Sequence, residues 1–188
     1  MMYQSGNQLW HTDSSFKPTP AMASLLSGRE VPPVGGETEF ADLRAAYDAL
    51  PDDTKAAIGG LVAEHSIAHS RAQIGFTDLQ FGERELLPPV PQRVVRTHPG
   101  SGRRTLYLAA HASHILDMPV PEGRLLLRDL TEHATQPQFV YRHVWRVGDL
   151  VIWDNRATMH RGRPFDDAKE RRELRRVTTL DLDAPPAA

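Results

Sequence analysis

The chain has 188 residues, 40% of them hydrophobic, and a formal net charge of −2. That length suits one domain with a sizeable core, and so small a charge supplies no basic field for nucleic acid or an anionic membrane. No cysteine is present, so disulfides and thiolate metal sites are excluded, any ion must rest on nitrogen and oxygen ligands, and a reducing cytoplasm fits the composition.

In chain order, the first four residues carry neither the basic nor the apolar region of a secretory signal. The segment GNQLWHTDSSF at 6–16 follows and places a histidine and a carboxylate two residues apart. The stretch 21–29 reads as a mixed apolar strand, closed by the turn VPPVGG at 31–36. Leu43, Ala46, Tyr47 and Leu50 fall at helical spacing behind Asp42, a plausible N-cap. A second helix is predicted over 52–62, opened by acidic residues that suit the positive helix end.

Residues 66–91 have weak periodicity with scattered Gly and Pro, as in an active-site flap. Strands are predicted at 93–97 and 105–109, joined by the turn-rich HPGSGRR. A helix is predicted over 122–134, its stripe made of Leu125, Leu126, Asp129, Leu130 and His133. Residues 139–147 alternate with Val140, Arg142, Val144 and Arg146 on one face, and strands follow at 150–153 and 174–182. The apolar runs at 106–110 and 150–153 are too short to span a bilayer. Many strands with few helices predict a mainly β sandwich or open barrel, in one domain over 1–183 with a short tail at 184–188.

In extended chain, residues i and i+2 share a face, so His11 and Asp13 can converge on one ion. A chance His-x-Asp with no site behind it is the competing reading. His160, delivered from a loop after the strand at 150–153, would complete a two-histidine, one-carboxylate set of the kind used by non-haem Fe(II) oxygenases; zinc accepts the same ligands. The segment ERRELRRVTT at 170–179 puts Arg172, Leu174, Arg176 and Thr178 on one strand face, with Arg171, Glu173 and Arg175 on the other. Paired guanidinium groups suit a dicarboxylate such as 2-oxoglutarate, unless they are a solvated cluster paired with Glu170 and Glu173.

NQLWHTDSSF, PPVGGETEFADLRAAYDALP, HPGSGRRTLYL and VIWDNRATMHRG, with the arginine-rich strand after them, resemble the taurine dioxygenase / 2,4-dichlorophenoxyacetate dioxygenase family. The resemblance runs from about Asn7 to Asp183. It implies a jelly roll (double-stranded β-helix) with flanking helices, dependent on Fe(II), 2-oxoglutarate and O2. It implies His11, Asp13 and His160 as iron ligands, with Thr38, Arg172 and Arg176 binding 2-oxoglutarate. Asn7 and Arg176 would face a small anionic substrate, an aryloxyalkanoate or sulfonate. Arg171 and Arg175 are the alternative register for the arginine pair. Trp153 would either pack beside the site or serve as a core tryptophan, and His69 to Arg71 could touch the substrate. His98, His111, His114, His133 and His143 are expected to be structural or solvated.

Family members carry a substantial segment ahead of the His-x-Asp strand. Its lack here predicts exposed sheet edges and apolar surface, hence self-association into a homo-oligomer. The rival expectation is an N-terminally truncated, catalytically incomplete member, acting only as a metal-binding or structural protein.

Overall fold

The computed structural model describes residues 2–76 and 87–183; the segment 77–86 of the predicted flap and the tail 184–188 lie outside the described residues. Helix α1 (Met2–Asn7) precedes the segment that carries His11 and Asp13. Strand β1 (Ala21–Glu30) lies between β9 (Leu150–Asp154) and β11 (Glu173–Leu180), antiparallel to both. A second antiparallel sheet has the order β10 (Thr158–Gly162), β2 (Thr38–Asp42), β8 (Val140–His143). Leu26, Trp153 and Leu174 of the first sheet and Thr38 and His160 of the second line one cavity, so the sheets face each other across it. This is the jelly-roll arrangement expected from the motifs.

A third sheet of order β4 (Val90–Arg93), β3 (Val62–His65), β7 (Ala112–Ile115) and the hairpin of β5 (Val95–Thr97) with β6 (Arg104–Leu106) flank these two. The apolar core packs between them and helices α2 (Leu43–Asp48), α3 (Asp52–Ile58) and α5 (Val120–Ala134). Leu43, Ala46, Ile58, Leu106, Ile115 and Met159 are fully buried there. The Asp42 carboxylate caps α2 by accepting from the amides of Arg44 and Ala45, as its position before the apolar stripe predicts.

Several predicted elements differ from the observed ones. The helix predicted to run to residue 62 stops at Ile58, because Gly59 and Gly60 weaken it, and Val62 already belongs to β3. The flap region holds a short helix, α4 (Ile67–Ala72), and gives way to β4 at Val90. The strand predicted over 139–147 ends at His143, leaving Val144 exposed. Helix α5 buries Gly123, Leu127, Leu130 and Ala134, a true 3.6-residue stripe, while Leu125 faces solvent. His160 stands on β10, not in a loop. Its short strand of mixed polarity is recognisable only by its pairing with β2.

The β1 register explains which arginines turn inward. Ser24 pairs with Thr178, Leu26 with Arg176 and Gly28 with Leu174, so these side chains share the inner face. Leu25, Val177 and Ile152 form the outer row, where Val177 is 63% and Ile152 59% exposed. That outer face presents apolar side chains to solvent.

Gly123 tests the packing of α5 on β7. A Cβ there would lie 2.8 Å from the backbone nitrogen of Ile115 and 3.1 Å from its Cβ. Gly123→Ala improves helix propensity yet forces the helix off the strand. The expected net loss is about 1–3 kcal/mol, read as a lowered Tm. An unchanged or raised Tm contradicts this packing.

Candidate active site

The site starts from a backbone pairing. His11 N–H donates to the His160 carbonyl at 2.9 Å, and His160 N–H donates back to the His11 carbonyl at 2.8 Å. Residues paired in this reciprocal way hold their side chains on the same face. The two imidazoles lie 4.2 Å apart, and the i+2 rule adds Asp13 to that face. His11 Nε2 is 3.9 Å from Asp13 Oδ1, and His160 Nε2 is 3.7 Å from Asp13 Oδ2.

The carboxylate is held from several sides. Ser24 donates to Asp13 Oδ2 at 2.7 Å and Arg176 to Oδ1 at 3.3 Å. Asn155 accepts from the Asp13 amide at 3.1 Å and donates to Ser24 at 2.9 Å, so backbone and carboxylate are fixed by one loop of bonds. Burial pushes the Asp13 carboxyl up, but His160, His11, the Ser24 hydroxyl and Arg176 outweigh it and leave it below the usual range. Burial, and then His11, bring His160 down to about 3, so its ring is neutral.

These residues fit a divalent ion. One donor atom from each of His11, Asp13 and His160 lies within 4.8 Å of the others, and all three residues are buried. Bonds of about 2.1 Å would place such donors about 3 Å apart, which asks for a contraction of roughly 1–2 Å. His11 Nδ1 spends its proton on the Leu9 carbonyl at 2.8 Å, which leaves the Nε2 lone pair facing the site. His160 Nδ1 has no such partner among the described residues. Its ring is oriented by packing instead, 4.7 Å from Trp153 and 6.1 Å from Phe40.

Two cavities meet at this set, sharing Asn7, His11 and Arg176 in their walls. The first, of about 320 Å³, is the one between the sheets, lined also by Thr38, His160 and Arg172. Arg172 Nε donates to the Gly36 carbonyl at 2.9 Å and Nη2 to Thr38 Oγ1 at 3.4 Å. No carboxylate lies within ion-pair distance of it among the described residues. Burial pushes its pKa down, as expected for a cation with only neutral partners. Gly36 has φ +71°, and a Cβ there would lie 3.1 Å from Arg172 Cδ, so the predicted turn glycine also makes room for the guanidinium. Trp145 Nε1 donates to Thr38 Oγ1 at 2.9 Å. That hydroxyl accepts twice and keeps its own proton for a ligand.

The second cavity, of about 380 Å³, has Asp13 in its wall and is lined by Phe16, Ile67, Ile74 and Leu87, with Lys17 and Arg71 supplying positive charge. Within the predicted trio, Ser70 and Arg71 belong to this cavity, and His69 lines a different one. His111, read as structural from the sequence, lines the second cavity. The alternative arginine register fails geometrically: Arg175 is exposed and pairs with Glu173, while Arg172 and Arg176 line the cavity. Ser24, Trp145 and Asn155 escaped sequence reading: Trp145 and Asn155 reach partners 107 and 142 positions away, and Ser24, 11 positions from Asp13, belongs to no local motif.

Residues 1–178 match the family described as Taurine catabolism dioxygenase TauD, TfdA family. The chain is 58% identical over 174 residues to the alpha-ketoglutarate-dependent 2,4-dichlorophenoxyacetate dioxygenase of Burkholderia sp. (strain RASC), a match covering 93% of this chain and 58% of that protein. It is 40% identical over 177 residues to the (S)-phenoxypropionate/alpha-ketoglutarate-dioxygenase of Sphingobium herbicidovorans, covering 91% of this chain and 62% of that one. The crystal structure of AAD-2 in complex with Mn(II) and N-oxalylglycine superimposes with a TM-score of 0.94 at 57% identity, over 100% of this chain and 73% of the other. The chain therefore spans about three-fifths of the length of the curated relatives it matches.

Asn155 is fully buried and also accepts from Trp153 Nε1 at 3.1 Å. Asn155→Ala strands the Asp13 amide and the indole N–H, each left unsatisfied in the interior. The expected loss is about 2–5 kcal/mol, measured by urea unfolding. A cost below about 1 kcal/mol would mean that the loop around Asp13 does not form.

Proposed function

The chain belongs to the Taurine catabolism dioxygenase TauD, TfdA family, and from that premise we propose that it is an Fe(II)- and 2-oxoglutarate-dependent dioxygenase. It hydroxylates a small anionic substrate with an apolar body, of aryloxyalkanoate or related type, and releases succinate and CO2. The observation that carries this reading is Arg172: a largely buried guanidinium with neutral partners, in the same cavity as His11 and His160. A buried cation without a counter-ion is costly, and a dicarboxylate that reached the ion with one end would supply the missing charge with the other.

His11, Asp13 and His160 would hold the iron, leaving one face open. The bound iron and 2-oxoglutarate supply the oxidising chemistry, in which O2 is consumed and the ketoacid is decarboxylated. Everything else falls to the chain. Arg172 grips the far carboxylate, with Thr38 donating its hydroxyl proton to the same group. Arg176 steadies Asp13 and faces both cavities. The second cavity takes the substrate: Phe16, Ile67, Ile74 and Leu87 shelter an apolar body and exclude water, while Lys17 and Arg71 favour an anionic end. Asn7 stands where both ligands meet. Residues 66–91 border that cavity through Ile67, Ser70, Arg71, Ile74 and Leu87, the place an active-site flap would occupy.

The test is succinate release from 2-oxoglutarate, with phenoxyacetates, phenoxypropionates, taurine and alkyl sulfates assayed side by side with and without Fe(II). Metal binding without turnover on any of them would leave only a metal-binding protein. His160→Ala is expected to abolish Fe(II) binding, and retained affinity in a metal titration would sink the ligand set. Arg172→Ala is expected to weaken 2-oxoglutarate about 10- to 100-fold with Fe(II) affinity intact, while Arg175→Ala leaves both unchanged. Equal effects of the two arginine variants would defeat the register.

A further inference from the structure

Behind the wall of the second cavity lies a buried polar assembly that the proposed chemistry does not use. His111 lines that cavity, and its Nδ1 lies 2.9 Å from Ser15 Oγ. The same hydroxyl lies 3.0 Å from His65 Nδ1. Ser15 and His65 are both fully buried. Ser15 is gripped through its backbone as well: Gln92 donates to its carbonyl at 2.8 Å, and Arg96 donates to Gln92. The Arg96 guanidinium lies 3.4 Å over the Tyr107 ring, and Tyr107 stacks on His65 with ring centres 5.8 Å apart. Ser15, His65, Tyr107, Arg96 and Gln92 thus close a ring of groups with His111 as its outlet to the cavity.

A hydroxyl has one proton, and that restricts the tautomers. If Ser15 gives it to His65, His111 must donate its own Nδ1–H to Ser15. His65 then carries its proton on Nε2, an atom that is buried and has no partner among the described residues. If Ser15 gives it to His111, His65 donates from Nδ1 and only a lone pair is left at Nε2. Orphaned buried N–H groups are the rarer and costlier defect. Burial, and then the Arg96 charge, bring His65 down to about 3, so its ring is neutral and carries a single N–H.

We infer that His65, acting through Ser15, holds His111 in its Nε2–H tautomer, so that the second cavity meets a neutral N–H donor for an acceptor oxygen of the substrate. His65 and Ser15 touch no ligand; they are positioning residues. The inference rests on reading that cavity as the substrate's. It specifies the polarity of one contact: an ether or carboxylate oxygen is accepted and a donor group is refused, because the fixed tautomer offers it no lone pair.

Nitrogen-15 NMR of the whole metal-free chain, labelled at histidine, reads the tautomers directly near neutral pH. His111 is expected as Nε2–H and His65 as Nδ1–H, each favoured about tenfold or more. His111 found as Nδ1–H, or His65 as Nε2–H, overturns the inference. Ser15→Ala and His65→Leu should each erase the bias at His111 while leaving Mn(II) affinity unchanged, which separates positioning from collapse of the site. In protein loaded with Mn(II) and N-oxalylglycine, phenoxyacetate should bind Ser15→Ala about tenfold more weakly than wild type, and equal affinity counts against the relay. If phenoxyacetate binds neither protein, the proposed substrate class fails and the tautomers alone decide the inference. Should a variant not fold, the wild-type tautomers still decide it.

Discussion

The site depends on the pairing of His11 with His160. Two reciprocal backbone hydrogen bonds at 2.9 and 2.8 Å join the start of the chain to β10. The pairing fixes two imidazoles side by side, and Asp13, two residues on, is held alongside them by Asn155, Ser24 and Arg176. The cost of closing so long a loop is met by the core. Met159, on the same strand as His160, is fully buried among Leu43, Leu106 and Ile115. The donor set is therefore organised by folding, and an ion need only draw it together.

Electrostatics makes the arrangement asymmetric. Asp13 is a buried anion with its needs met by Ser24, Arg176 and two histidines. Arg172, in the cavity between the sheets, is a cation whose partners are a carbonyl and a hydroxyl. Neutral partners satisfy its geometry and leave its charge uncompensated. His160 adds no positive charge of its own, because burial keeps it down at about 3. The cavity between the sheets is accordingly biased toward an anion before any ligand enters.

What could be read from the sequence were features with a local period or a local cap. Period two placed His11 with Asp13 and put Arg172, Leu174, Arg176 and Thr178 on one face, the face that β1 turns inward. Asp42 announced α2, and Gly35 and Gly36 announced a turn that uses positive φ at both positions. The double glycine after Ile58, by contrast, was read through, and α5 was assigned the wrong stripe because several leucines compete for its buried face. The deeper losses are of another kind. Ser24 and Asn155, joined across 131 positions of sequence, and Ser15 and His111, joined across 96, belong to no motif. Their pairing is decided by sheet register and by which loop ends at which depth. The family resemblance identified the ligands, but it could not identify what holds them.

The shared wall between the two cavities constrains the ligands jointly. Arg176 borders both, so an anion on either side competes for the same guanidinium. With the proposed occupants, a dicarboxylate lies on the Arg172 side and a monoanionic substrate on the other, with Arg176 and Asp13 between them. A neutral substrate would shift the site toward excess cation, and a dianionic one toward excess anion beside Asp13. Either imbalance costs more here than in water, because the surroundings screen poorly. Lys17 and Arg71, also in the wall of the second cavity, add to its attraction for an anion. Under the proposed function, a preference for an anionic, apolar-bodied molecule would rest on these charges as much as on the shape of the walls.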